Sequence, residues 1–176
     1  LGTAGVTVGL ALQGGLANLA GGVLLLLFKP FVVGDYIIQD QSNGCEGTVA
    51  KIEICYTTLL SIDNKKIVVP NGTLSNSTII NVTAKENRKL EIKVGISYEA
   101  DIQKAKRIIE KILREDADTK SDTKEMVVFV DELADSAVIM GLRVWVSTER
   151  YWPTKWRLNQ KIKEEFDANG IVIPYN

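Results

Sequence analysis

The sequence predicts a membrane α-helix followed by α+β domains, and three observations carry this prediction. No charged side chain occurs from Leu1 to Phe28, whereas charge is dense from Lys29 onward. Short β-branched runs separated by turn-forming residues fill residues 31–82. Beyond them the apolar pattern alternates between strand and helix periods. We therefore expect a helix over residues 1–29, a β domain over 30–83 and an α/β domain over 84–176.

The composition argues against several classes of function. The formal net charge of the 176 residues is -1, which lacks the basic excess typical of proteins that bind nucleic acid. The chain contains no histidine, the usual general base and the commonest metal ligand. Cys45 and Cys55 are too far apart for a CxxC motif. We predict no metal site, no cofactor, no catalytic residues and no nucleic-acid partner.

The uncharged leading segment is long enough to cross a bilayer as a helix, since a crossing needs about 20 apolar residues. Pro30 ends the helix, and Lys29 complements the helix dipole and fits the cytoplasmic excess of basic residues. A phosphate-binding glycine loop is a poor alternative, because the spacing fits neither GxGxxG nor the P-loop. A buried helix of a soluble domain and a single membrane anchor remain open.

Small residues follow two stripes of the leading helix, with an apolar pair between them. Glycine inside a helix costs about 1 kcal/mol relative to alanine, so repeated glycines indicate close contact between helices. If one stripe meets the other stripe of a neighbouring copy, the copies form a ring, and Val6 and Leu10 face its axis as an apolar constriction. The residues predicted to pack between helices are Gly2, Thr3, Gly5, Thr7 and Gly9.

The next two regions read as small domains. Strands are predicted at 36–38, 48–54, 57–60 and 67–69, separated by turns that include Asp63-Asn64-Lys65 and Pro70-Asn71-Gly72, which suggests a small barrel or sandwich. From residue 90 the predicted order is strand, helix, two strands, helix and a closing strand at 171–173. Asp101 is the N-cap of the first helix. The second helix has Pro153 in its first turn and ends at Asn169-Gly170. That order is ferredoxin-like.

Several motifs resemble the MscS family of small-conductance mechanosensitive channels, in unbroken order along nearly the whole chain. Gly9-Leu10-Ala11-Leu12-Gln13-Gly14 is similar to the third transmembrane helix of the family. Pro30-Phe31-x-x-Gly34-Asp35, Gly47-Thr48-Val49 and Val69-Pro70-Asn71-Gly72 are similar to its Sm-like β domain. Arg143-Val144-Trp145 and Phe166-Asp167-x-x-Gly170-Ile171-x-x-Pro174 resemble its α/β domain.

The resemblance implies a homoheptameric channel that membrane tension opens to release ions and small osmolytes under osmotic downshock. Val6 and Leu10 would form the constriction of the pore. Gln13-Gly14 would be a kink in the pore-lining helix, and Gly22 a second bending point. Asn18 would reach toward the turn at Gly72.

The resemblance also implies a place in the cell. The protein would lie in the plasma membrane of a prokaryote, in contact with lipid, with both smaller domains in the cytoplasm. Two transmembrane helices would precede Leu1, and a short barrel would follow Asn176. The chain departs from the family pattern at Val6, where leucine is more usual, at Thr3 and Thr7, which replace alanines, and in a longer loop from Gln39 to Gly44.

Two other classes of function compete with the channel. One is a regulatory, ligand-binding domain of a transporter, tethered to the membrane by one helix. The other is an enzyme, with Asp131-Glu132-Asp135 as paired carboxylates or a divalent-cation site, although a solvated strand end explains these acids more simply. A ligand pocket formed by Arg143, Trp145, Arg150 and Trp152 is weighed against simple packing of the tryptophans.

Overall fold

The chain folds as two compact units, one ending at Ala84 and the other beginning at Lys85. The computed structural model describes residues 2–40, 43–120 and 124–175. Part of the loop between Gln39 and Gly44, which the sequence predicts to be long, lies outside the described residues. Each unit has its own apolar core, and each is described by itself below.

Helix α1 spans Gly2–Phe28 and contains 27 residues. Its last helical hydrogen bond is donated by the Lys29 amide to the Leu25 carbonyl oxygen at 3.0 Å. Lys29 has a left-handed backbone with φ of 47°, and Pro30 has no amide hydrogen to continue the helix. The predicted helix end is therefore confirmed. The helix is long enough and apolar enough to cross a membrane.

The strands of the first unit form one antiparallel sheet in the order β4-β3-β2-β1-β5. They are β1 Tyr36–Gln39, β2 Glu46–Ile52, β3 Tyr56–Leu60, β4 Lys66–Pro70 and β5 Ile79–Asn81. The first four were predicted, and the predicted turn is present at Asn64, where φ is 64°. The sequence analysis missed β5, because three residues are too few to show a period.

A short helix, α2 Asn71–Ser75, replaces the simple turn predicted at Pro70-Asn71-Gly72. Leu74 of this helix is buried with Leu25 of α1 and Phe31 in the core of the first unit. A helix of five residues has no stability of its own, so tertiary packing forms it, and no local pattern announces it.

The second unit contains a three-stranded antiparallel sheet in the order β6-β8-β7 and two helices that form the core together with the sheet. Its elements are β6 Asn87–Ile96, α3 Ile102–Glu115, β7 Val127–Leu133, β8 Val138–Ser147, a 3₁₀ turn at Thr148–Arg150 and α4 Tyr151–Ala168. The Asp101 side chain accepts a hydrogen bond from the Lys104 amide at 3.0 Å, which confirms the predicted N-cap of α3. Gly170 follows α4 with φ of 72°, as predicted for a helix end.

The closing strand predicted at residues 171–173 is wrong. Ile171 is buried in the core as a strand residue would be, but the segment makes a single backbone bond to the end of β6, from the Ser97 amide to the Val172 carbonyl oxygen at 2.9 Å. A strand needs a series of backbone hydrogen bonds to its neighbour, and Pro174 has no amide hydrogen to donate to such a series. The apolar run therefore caps the core without joining the sheet.

An ion-pair cluster fixes the end of α3 to α4. The Arg157 guanidinium donates to both carboxylate oxygens of Asp116, at 2.8 and 2.9 Å, and to Asp118 Oδ2 at 2.8 Å. Arg150 Nη2 donates to the same oxygen of Asp118 at 3.1 Å. The hydrogen bond from Arg150, helped by the one from Arg157 and opposed by burial, lowers the pKa of Asp118 from its ordinary value.

We expect Arg157→Gln to lower the free energy of unfolding of the second unit by about 1–2 kcal/mol at neutral pH. The loss stays modest because the guanidinium is partly exposed and screened by solvent. A carboxylate with a lowered folded pKa stabilises the fold above its unfolded pKa of about 3.9, and that contribution disappears as pH falls through the folded value. Thermal unfolding from pH 7 to pH 2 should therefore show the wild type and variant converging in acid. Lys161→Gln, which breaks an exposed pair with Glu165, is the matched control and should change little.

Candidate functional site

The two residues predicted to form a constriction lie on the free surface of α1. Val6 is 64% exposed and Leu10 is 68% exposed, so neither is used in the core of its own chain. They are four residues apart and share one side of the helix. Water disfavours such apolar surface, which indicates that it meets other apolar groups or lines a narrow space.

The stripes of small residues are also free within the described chain. A Cβ atom added at Gly2, Gly5 or Gly9 would meet no other heavy atom within 4 Å. The Thr7 hydroxyl donates to the Thr3 carbonyl oxygen one turn earlier at 2.9 Å, so its polar group is satisfied inside the helix. Both stripes are thus available to a neighbouring helix, and that role stays a prediction.

Helix α1 runs without a break through Gln13 and Gly14. A Cβ atom at Gly14 would meet nothing within 4 Å, so no packing contact in the described chain explains this glycine. The predicted kink does not interrupt the helix here, and bending at Gln13-Gly14 stays a prediction.

Asn18 is the residue by which α1 binds the short helix α2. Its Oδ1 accepts a hydrogen bond from the Gly72 amide at 3.0 Å, across 54 positions of sequence. A Cβ atom at Gly72 would lie 2.9 Å from that same Oδ1, so glycine leaves room for the contact. The structure thus brings together the two residues that the sequence analysis paired.

Gly22 has a packing role that differs from the predicted bend. A Cβ atom there would lie 2.1 Å from the carbonyl oxygen of Ile54 and 2.8 Å from Asn71 Nδ2. At neighbouring Gly21 it would lie 2.6 Å from the carbonyl carbon of Asn71. The two glycines therefore let the backbone of α1 lie against the backbone at Ile54 and Asn71. Bending at Gly22 stays a prediction.

Asn71 organises the surface on which α1 rests, and sequence reasoning missed it. Its side chain is fully buried; Oδ1 accepts from the Thr57 hydroxyl at 2.7 Å, and Nδ2 donates to the Glu53 carbonyl oxygen at 2.7 Å. Its amide donates to the Cys55 carbonyl oxygen at 2.9 Å. The Pro-Asn-Gly signature marked this place as a turn, and nothing in it signals a buried amide network.

Asp35 fixes the segment that follows α1. Its Oδ2 accepts from the Val32 amide and from Asn81 Nδ2, both at 2.9 Å, and its Oδ1 accepts from the Thr83 hydroxyl at 3.1 Å. The hydrogen bond from Val32, against a smaller effect of burial and with help from Asn81 and Thr83, lowers the pKa of this carboxyl. The exit of α1 is thereby tied to the end of the first unit.

Three of the charged groups considered for an enzyme or ligand site, Asp131, Arg143 and Arg150, have ion-pair partners. Asp131 pairs with Lys93 at 2.8 Å, and in the described ranges no group of three or more histidine, cysteine, aspartate or glutamate side chains is arranged to hold a metal ion. Arg143 pairs with Glu91, and Arg150 pairs with Asp118. These cations serve ion pairs on the surface of the second unit.

We expect Asn18→Ala to weaken the attachment of α1 by about 1 kcal/mol, because the Gly72 amide loses its acceptor. Thermal unfolding followed by circular dichroism in detergent would measure the change. Gln13→Ala, at an exposed position of the same helix, is the control and should leave the midpoint unchanged. An equal effect of the two variants would show that the hydrogen bond does not hold the helix.

Comparisons with known proteins converge on one family. A family model described as "Mechanosensitive ion channel, beta-domain" matches residues 15–84, and one described as "Mechanosensitive ion channel MscS, C-terminal" matches residues 90–173. The small-conductance mechanosensitive channel of Edwardsiella ictaluri is 41% identical over 172 residues, which cover 98% of this chain and 59% of that protein. An uncharacterized MscS family protein of Archaeoglobus fulgidus is 36% identical over 174 residues, covering 99% of this chain and 60% of the relative.

Solved structures agree with the sequence relatives. The closed-state crystal structure of MscS from Helicobacter pylori is 31% identical with a TM-score of 0.90, and the match covers all of this chain and 68% of that one. The fold is also that of Arabidopsis thaliana MSL1, which is 20% identical with a TM-score of 0.80 over 99% of this chain and 64% of that one. The chain spans about three fifths of the length of its first curated relatives. Nothing in these findings supports a transporter regulatory domain.

Proposed function

The chain belongs to the MscS family of mechanosensitive ion channels, and on that premise we propose that it supplies the pore wall and the two cytoplasmic domains of a tension-gated channel subunit. Opening by membrane tension would release ions and small osmolytes under osmotic downshock. The complete subunit works as a channel and not as an enzyme, in the plasma membrane of a prokaryote.

One observation carries the proposal: an uncharged helix on which the exposed pair Val6 and Leu10 lies between two free stripes of small residues. At about 1.5 Å per residue α1 is roughly 40 Å long, more than the hydrocarbon core of about 30 Å. Copies of this helix, with the Gly5 and Gly9 stripe of one against the Thr3 and Thr7 stripe of the next, close into a homoheptameric ring. Val6 and Leu10 then surround an apolar constriction that excludes water.

Membrane tension acts on this ring through the area that the ring occupies in the membrane plane. The wider state occupies more membrane, so tension stabilises it relative to the narrow state, as any two-state switch requires. Lipid surrounds the outer surface of the ring, and the basic residue Lys29 at the end of α1 supports a cytoplasmic location for that end. The hydrogen bond from the Gly72 amide to Asn18 connects α1 to α2, and in this proposal it transmits movement of the pore helix to the β-sheet below it.

Patch recordings from liposomes that contain the complete subunit test the proposal. We expect current steps whose open probability rises with applied suction, and a mass in detergent that corresponds to seven copies. Absence of any suction-dependent current from a correctly assembled protein would overturn the channel function. A monomeric or dimeric mass would overturn the ring.

A further inference from the structure

The segment that follows α1 makes a tight turn that is held on the sheet of the first unit. Val32 and Asp35 close this turn, because the Asp35 amide donates to the Val32 carbonyl oxygen at 3.1 Å. Gly34 lies between them with φ of 98°, a backbone conformation that favours glycine. The Gly34 amide donates to the Val49 carbonyl oxygen, and the Val49 amide donates to the Asp35 carbonyl oxygen, both at 2.8 Å. The backbone of the turn is therefore fixed to strand β2.

The Asp35 side chain extends from this turn to the place where the chain leaves the same sheet. Asn81 is the last residue of β5, and its Nδ2 donates to the carboxylate at 2.9 Å. The Thr83 hydroxyl, two positions later, donates to the carboxylate at 3.1 Å. Asn81 Nδ2 also donates to the Pro30 carbonyl oxygen at 3.2 Å, and the Thr83 hydroxyl accepts from the Tyr36 amide at 3.0 Å. One carboxylate thus joins the entry of the chain into the five-stranded sheet to its exit.

This arrangement exceeds what a turn requires. An aspartate that only closes a turn needs one donor, a backbone amide close to it in sequence, and the Val32 amide is that donor. Asp35 accepts from two further side chains that lie 46 and 48 positions later in the chain. All three donors are uncharged groups. The two distant hydrogen bonds hold the exit of α1 on the end of β5, and closing the turn does not need them.

Movement of α1 relative to the sheet passes through this place. Helix α1 ends at Phe28 and strand β1 begins at Tyr36, so seven residues connect them. While Asp35 holds Asn81 and Thr83, this connection cannot shift unless the end of β5 shifts with it. Once those two hydrogen bonds are lost, the exit of α1 can move while the end of β5 stays in place.

We infer that Asp35, Asn81 and Thr83 form an exit joint, a positioning device that opposes movement of α1 and thereby raises the tension at which the pore opens. The inference rests on the proposed channel function and adds to it the residues that set the opening tension. In the wide state α1 moves outward, and it must then carry the sheet with it or break the hydrogen bonds of the joint. The exit joint therefore stabilises the narrow state relative to the wide state.

Patch recordings from two variants of the complete subunit test the exit joint. Asp35→Ala removes the whole joint, whereas Thr83→Val removes one exposed hydroxyl and leaves the turn at Val32 intact. Both variants should open at lower suction than the wild type. At a fixed low suction, the open probability of Asp35→Ala should rise by about tenfold or more, because each copy loses several hydrogen bonds. The change in Thr83→Val should be smaller and in the same direction.

Two further variants are the controls. Thr83→Ser retains the hydroxyl and should retain the wild-type threshold. Asp63→Asn makes a change of the same kind in the same unit, but the Asp63 carboxylate binds only Ser61 and Lys65, inside the exposed turn between β3 and β4. It should leave the opening suction unchanged.

Asn81→Asp gives a readout that a purely structural role would not produce. The new carboxylate replaces the amide that now lies 2.9 Å from the Asp35 carboxylate, and two carboxylates this close raise the pKa of the pair. This variant should open at lower suction at about pH 8. At about pH 5 a proton shared by the two carboxyl groups replaces the lost hydrogen bond, so the threshold should return toward that of the wild type. The wild-type chain contains no histidine and should show no such difference.

The outcomes separate the exit joint from the channel function. A wild type that opens under suction, with thresholds unchanged or higher in Asp35→Ala and Thr83→Val, would overturn the joint and leave the channel intact. A wild type that assembles correctly and passes no suction-dependent current would overturn both. Thermal unfolding checks that each variant is folded, and if Asp35→Ala does not assemble, the milder Thr83→Val decides.

Discussion

Replacing Leu10 with serine in the complete subunit is expected to produce a channel that passes current at rest and opens at lower tension. Exposing one leucine side chain to water costs about 2 kcal/mol of free energy, and every copy in the ring contributes one leucine. The closed constriction therefore resists hydration. Leu10 is exposed on α1 and is not part of the core, so the substitution leaves the fold of the single chain unchanged. A serine hydroxyl holds water in the constriction and removes the barrier to ions.

Patch recordings of closed-state current and opening suction measure this effect. Leu12→Ser is the matched control, because Leu12 is also exposed but lies on the far side of the helix from Leu10. The control should retain a silent closed state. An unchanged threshold and resting current in Leu10→Ser, or equal leakage in both variants, would refute the placement of the constriction.

Gly22→Val is expected to detach the second half of α1 from the five-stranded sheet and α2 of the first unit. Even the first added carbon would lie 2.1 Å from the Ile54 carbonyl oxygen, which is backbone and cannot rotate away. The helix must move, and it loses the burial of Leu25 and the hydrogen bond between Asn18 and Gly72. Losing the burial of Leu25 and this hydrogen bond lowers the free energy of unfolding by about 3 kcal/mol. That loss corresponds to a fall of roughly 10–20 °C in the unfolding midpoint of the first unit.

Thermal unfolding in detergent and limited proteolysis between α1 and β1 measure the detachment. Gly15→Val introduces the same side chain on the same helix where nothing lies within 4 Å, so it should leave the free energy of unfolding within about 1 kcal/mol of that of the wild type. A stable Gly22→Val protein with α1 protected from protease would show that the close approach is not required.

Local signals predicted the elements whose causes are local. The end of α1 follows from Pro30, the start of α3 from the capping side chain of Asp101, and the end of α4 from Gly170. Each depends on groups within a few residues of one another, so the sequence states them directly. The stripes of α1 are similarly visible, because a helix repeats its faces every few residues.

Contacts between distant residues were harder to predict. The pairing of Asn18 with Gly72 came from the family resemblance and not from periodicity. The sheet edge at β5 and the buried amide of Asn71 were missed, because each depends on partners 14 or more positions away in the sheet. The predicted closing strand failed for the same reason, since an apolar run shows burial but does not show which backbone groups are free to bond.

The sequence by itself determined that the chain has an uncharged helix with a Val6 and Leu10 face, a β unit and an α/β unit, because charge, period and caps act over short distances. Only the tertiary structure decided that Gly22 is a contact glycine, that Asn71 supports α1, and that residues 171–173 stay outside the sheet. These outcomes depend on how closely two backbones approach in space, and a linear pattern of residue types does not contain that distance.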